Sequence, residues 1–81
     1  MKKFILQENK FDSMKPEEIF GVNAGKVWHV LKEKGALSAS AIAKQAKLKL
    51  NEVFGALGWL GREGKIEIIK DKKGLLYKLT E

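Results

Sequence analysis

Apolar residues in this chain recur at helical spacing three times and then switch, once, to alternation. That change of period limits the fold more than any other feature. A stripe at i, i+3, i+4, i+7 is buried by a helix, and an every-second pattern by a strand. The first stripe is Ala24, Val27, Trp28 and Leu31, within Asn23 to Lys34; Asn23 is placed to cap this helix and Gly35 to stop it. After a short extended piece, Ala36-Leu37, Ser38 caps a second helix with Ala39, Ile42, Ala43 and Ala46 on its buried side. Lys47-Leu48-Lys49 interrupts. The third helix, Leu50 to Glu63, buries Val53, Ala56, Leu57 and Leu60 and stops at Gly64. Lys65 to Lys70 then alternates about Ile66 and Ile68, Asp71-Lys72-Lys73-Gly74 has turn chemistry, and Leu75, Tyr77 and Leu79 share one face of a returning strand. Upstream, Lys15-Pro16-Glu17-Glu18 reads as a separate helix start, with Gly21 ending or kinking that helix.

The expected fold is therefore mainly α with a small β-hairpin: a three-helix core plus a two-stranded wing, the order of a winged helix-turn-helix. Its 81 residues leave room for one core. Without cysteine that core rests on packing alone, which suits a reducing compartment, and the cytoplasm is the expected location. The apolar run Phe4-Ile5-Leu6 is too short for a signal-peptide core, so neither export nor a membrane segment is expected.

Particular residues carry a closer likeness. Leu37-Ser38 through Leu48, then Val53, Ala56-Leu57, Leu60 and Arg62-Glu63-Gly64-Lys65-Ile66, resemble the helix-turn-helix and the start of the wing in winged-helix regulators, over about residues 23 to 80. More narrowly, Asn23-Ala24-Gly25-Lys26-Val27-Trp28 followed by Gly58-Trp59-Leu60-Gly61-Arg62-Glu63-Gly64-Lys65-Ile66 is similar to a family of small, functionally uncharacterised bacterial and archaeal winged helix-turn-helix proteins. The resemblance implies the fold and, by analogy, DNA binding, although winged helices also serve as protein-interaction modules. On this reading residues 23–81 form the domain. Residues 1–22 form an N-terminal extension, whose Phe4, Ile5, Leu6, Phe11, Met14 and Phe20 need cover on the same domain or in a homodimer.

Charge points the same way. Residues 26 to 78 hold twelve basic side chains against five acids, whereas residues 1 to 25 are neutral, and an excess so placed favours a polyanionic partner. The third helix is the expected recognition helix, with Asn51, Gly55, Gly58 and Arg62 outward. Two of the four lack a side chain, so only Asn51 and Arg62 are suited to reading bases. Gly55 and Gly58 form instead a surface that the DNA backbone or a partner helix can approach closely. Lys44, Lys47, Lys49, Lys70, Lys72, Lys73 and Lys78 are placed for phosphate. The expected activity is phosphate-dominated duplex DNA binding with weak sequence readout, in transcription regulation. The alternative is a protein-protein interaction module using the glycine-smoothed third helix.

Other chemistry finds little support. Lys49 stands where a serine or threonine commonly caps a recognition helix. His29 has no second histidine and no cysteine to complete a metal site. Ser38 and Ser40 read as helix-opening residues, Glu17 and Glu18 as first-turn acids, and no phosphate-cradling glycine loop follows a strand. No enzyme, cofactor or small-molecule substrate is expected. Trp28 reads as a core anchor. Trp59, at the edge of its stripe, could pack under the N-terminal segment, enter a dimer interface or close the core edge.

Overall fold

The computed structural model describes residues 13–80. A π-helical turn, Glu17–Gly21, leads without a break into α1, Val22–Lys34. Then come α2, Ala39–Ala46; α3, Leu50–Arg62; β1, Ile66–Asp71; and β2, Gly74–Leu79. Three helices and a two-stranded antiparallel sheet make a winged helix.

The first helix starts earlier than its apolar stripe. Lys15 N–H donates to Glu18 Oε1 at 2.7 Å beside Pro16, so the start read at Lys15-Pro16-Glu17-Glu18 is present. Gly21 does not end it, since its backbone stays right-handed helical (φ −66°, ψ −41°). Asn23 is consequently not a cap. It lies inside the helix and only 8% exposed, because the amides that a cap would serve already face carbonyls in the turn upstream. The division between residues 22 and 23 falls within this continuous helix.

The remaining ends follow local rules. Gly35 stops α1 at φ 81°, a region costly for any side chain, and its N–H donates to Leu31 O at 2.9 Å. Ser38 Oγ accepts from Ala41 N–H at 3.2 Å and opens α2. The helix closes on Lys47 in the left-handed region (φ 59°, ψ 43°), with the Lys47 and Leu48 amides both donating to Ala43 O. Left-handed backbone is unfavourable for a lysine, so Lys47→Gly is expected to stabilise the fold by about 0.5–1 kcal/mol after allowing for glycine's greater freedom when unfolded. Urea melts check this, and a lower midpoint would contradict it. Lys49, at the start of α3, has no acceptor to offer. Glu52 Oε1 instead accepts Lys49 N–H at 2.8 Å.

The core is Ala24, Val27 and Leu31 of α1, Ile42 of α2, Val53, Ala56, Leu57 and Leu60 of α3, and Tyr77 of β2. Around it Trp28, Leu37, Ala39, Ala43, Trp59, Ile66 and Leu79 are half-buried. β1 and β2 pair from Ile66↔Leu79 to Asp71↔Gly74. On its other edge β2 meets the extended piece: Leu37 N–H donates to Tyr77 O at 3.0 Å and Tyr77 N–H to Leu37 O at 2.8 Å. The base of the hairpin is pinned by Thr80, whose N–H and Oγ1 donate to Lys65 O and Gly64 O.

Candidate nucleic-acid interface

The helix-turn-helix is α2, the turn Lys47-Leu48-Lys49 and α3, and it carries three of the candidate lysines on consecutive features. Lys44 lies in the last turn of α2, Lys47 is the left-handed residue and Lys49 is the N-cap of α3; all three are exposed. Asn51, in the first turn of α3, is exposed beside them. Arg62 is exposed too, but eleven residues further along α3 it stands about 16 Å from Asn51 along the axis. It belongs with the far end of α3, beside Gly58, Trp59 and Glu63, and not with the lysines of the turn.

The two outward glycines differ. A Cβ at Gly55 would lie 2.9 and 3.0 Å from ring carbons of Phe20, whereas at Gly58 it would meet nothing within 4 Å. The surface that approaches Gly55 closely is thus the chain's own π-helical turn. Phe20 reaches on to Trp59, with ring centroids 6.4 Å apart and planes 26° from parallel. Of the three placements open to Trp59, the geometry shows two together: it lies against Phe20 of the N-terminal segment and packs on the edge of the core. Met14 and Ile19 of that segment stay exposed; Phe4, Ile5, Leu6 and Phe11 lie outside the described residues. Gly58→Ala is therefore expected to stabilise the fold by about 1 kcal/mol through helix propensity. Gly55→Ala is expected to gain less or to lose, since Phe20 must swing aside, and to recover the full gain when Phe20→Ala is added. Equal effects of the two single substitutions in urea melts would sink this account.

Outward from α3 the structure also shows what the apolar stripe concealed. Leu50 is 46% and Phe54 50% exposed, so the first half of the helix presents apolar side chains next to Asn51. Their only signal in the sequence is a position on the flank of the stripe, about 60° and 100° from Val53. Trp28 is half-buried against the core and receives Lys32 Nζ at 4.9 Å from its ring centroid. Both tryptophan segments meet along a groove of about 320 Å³ between α1 and α3, lined by Trp28, His29, Trp59, Glu63 and Lys65 among others. Among the described residues no cluster of three or more His, Cys, Asp or Glu could hold a metal ion.

On the wing, two acids, Asp71 and Glu67, lie among the lysines and each has a local partner. Asp71 Oδ1 accepts Lys73 N–H at 2.8 Å and Gly74 N–H at 3.1 Å, stabilising the turn. Glu67 pairs with Lys78 at 4.0 Å. Lys78 is thus partly neutralised near the base. Lys70, Lys72 and Lys73, at the tip, are exposed and form no ion pair among the described residues. No described helix is long and apolar enough to cross a membrane.

Comparison with known proteins matches this architecture. An uncharacterized protein of Methanocaldococcus jannaschii, MJ1608, is 39% identical over 61 residues, covering 73% of this chain and 87% of its own. The solution structure of protein BT2368 from Bacteroides thetaiotaomicron superposes with a TM-score of 0.75 at 34% identity, over 80% of this chain and 79% of that one. A Zalpha domain of Carassius auratus PKZ, solved in complex with Z-DNA, has the same fold, with a TM-score of 0.68 at 23% identity over 75% of this chain and 97% of that one. Residues 14–79 match the family described as the winged helix-turn-helix domain DUF2582, including the π-helical turn upstream of the three-helix core. With two thirds and more of the chain matched by the family and by the archaeal relative, the chain belongs to the DUF2582 winged helix-turn-helix family.

Proposed function

We propose that this chain is a non-catalytic duplex DNA-binding protein that holds phosphates through two groups of lysines, Lys44, Lys47 and Lys49 at the helix-turn-helix and Lys70, Lys72 and Lys73 on the wing. The observation that carries this is the state of the wing: its tip sets Lys70, Lys72 and Lys73 against Asp71 alone, and none of the three lysines is ion-paired among the described residues. Sequence readout is weak on this reading, because α3 offers Asn51 alone near the turn lysines, and Gly58, two turns further along, has no side chain to read with. The Zalpha domain lends the fold; the choice of ligand rests on this chain's own lysines. Regulation of transcription is the process such binding would serve, and the cytoplasm its compartment. The part of the N-terminal extension that the structure describes, residues 13–22, docks on its own domain in this reading, as Phe20 on Gly55 supports.

Titration of random duplex at two salt concentrations tests the proposal. Six phosphate contacts predict an affinity loss of about 10³-fold between 50 and 200 mM salt. A flat salt response would reject it. One observation favours a second reading, a protein-interaction module: Leu50 and Phe54 are half-exposed on the same helix as the open Gly58. Salt-insensitive capture of a protein, lost in Phe54→Ser, would favour that reading over DNA.

A further inference from the structure

The wing carries more apolar surface than the core needs. Its register sets Ile68 opposite Tyr77 and Lys70 opposite Leu75 on one face, and Ile69 opposite Leu76 on the other. Tyr77 is buried, yet the face it belongs to turns to solvent at once: Ile68 is 61% and Leu75 44% exposed. On the opposite face Ile69 is 36% exposed. From the middle of the hairpin outward the helices leave these side chains uncovered, and Lys70, Lys72 and Lys73 follow at the turn end.

A wing that only tracked phosphates would need the lysines and none of the exposed isoleucine and leucine. A tip with both is complementary to a ligand that is anionic outside and apolar within, as a base stack between two rows of phosphates is. Resting on the DNA reading above, we propose that the wing tip enters the minor groove as an apolar wedge and bends the duplex. Leu75 and Ile68 press against a base step while Lys70, Lys72 and Lys73 hold the flanking phosphates. Wedges of this kind partly unstack one step and kink DNA by about 20–90°. Selectivity then comes from how easily a step opens, pyrimidine–purine steps first, and needs no base-reading side chains on α3. An anionic membrane would share the charge complementarity. The tip, however, is apolar on both faces of a two-stranded ribbon, which suits a groove with two walls better than the single apolar face that lies on a bilayer.

The test uses the intact protein and an end-labelled duplex of about 25 base pairs with a central pyrimidine–purine step, read by energy transfer between the ends. Saturating wild-type protein is expected to raise the transfer. Ile68→Ser with Leu75→Ser is expected to bind within about tenfold, with the same salt slope since the lysines remain, but to leave the transfer at its free-duplex value. Thermal melts verify that this variant is folded, and Ile68→Val with Leu75→Met is expected to restore the bend. Binding by the wild type without bending, or bending by the serine variant, overturns the wedge and leaves DNA binding standing. No duplex binding at all overturns both readings. Sedimentation with vesicles of phosphatidylserine and phosphatidylcholine that is lost in the serine variant, without duplex binding, assigns the tip to a membrane and likewise overturns the wedge.

Discussion

Lys72→Glu with Lys73→Glu is expected to reduce duplex affinity by about 200-fold or more at 50 mM salt. Each released counterion contributes about a factor of 15 at that concentration, two contacts are lost, and repulsion from the new carboxylates adds to the loss. The slope of log affinity against log salt is expected to fall by about 2. Neither lysine is buried or ion-paired among the described residues, and the carboxylate that shapes the turn belongs to Asp71, so the melting temperature is expected to stay nearly constant. Binding isotherms at four salt concentrations measure both quantities. An unchanged slope with a folded variant would mean that the wing touches no phosphate, and the wedge would fall with it.

Ile42→Ala is expected to have the largest effect on stability. α2 is only eight residues long, too short to persist alone, and Ile42 is its one fully buried side chain. Removing three methyl or methylene groups from a site with 0% exposure costs about 2–5 kcal/mol through lost transfer energy and the cavity left behind. At 4–8 °C per kcal/mol for a domain of this size, the midpoint should drop by roughly 10–30 °C. Ala43→Ser, on the half-buried flank of the same helix, is the comparison and should cost far less. A drop of under about 5 °C for Ile42→Ala would show that α2 is held by something other than this side chain. Because Lys44 and Lys47 ride on α2 and its cap, partial unfolding there should also lower duplex affinity.

Features decided within a few residues were legible in the sequence. Gly35 had to stop a helix, Ser38 had an amide to accept three residues on, and a change of period placed the hairpin with Tyr77 inward. Each rests on a local rule that the rest of the molecule does not contest. Asn23 shows where such rules yield. Its cap propensity is real, but a helix already under way from Pro16 left no free amides to cap, so the asparagine went into the interior. Gly55 shows the same limit across a longer distance: its missing side chain read as room for a partner, and only the tertiary fold reveals Phe20 in that room. Lys47 gave no sign of its left-handed backbone, since lysine is an improbable residue there. For the interface the sequence named the exposed lysines but could not sort them. Sorting needed Asp71 turned onto the hairpin amides, Glu67 set against Lys78, and the length of α3 between Asn51 and Arg62.

Lys47 occupies a backbone conformation that glycine would adopt more cheaply, at the junction of the helix-turn-helix. In a randomised library at this position, survivors sorted only for resistance to heat should converge on glycine or asparagine. Survivors sorted for retention on a DNA column should keep lysine or arginine despite melting earlier. The two pools would diverge at one codon, and the extent of that divergence would measure how far folding and ligand capture compete for the same residue.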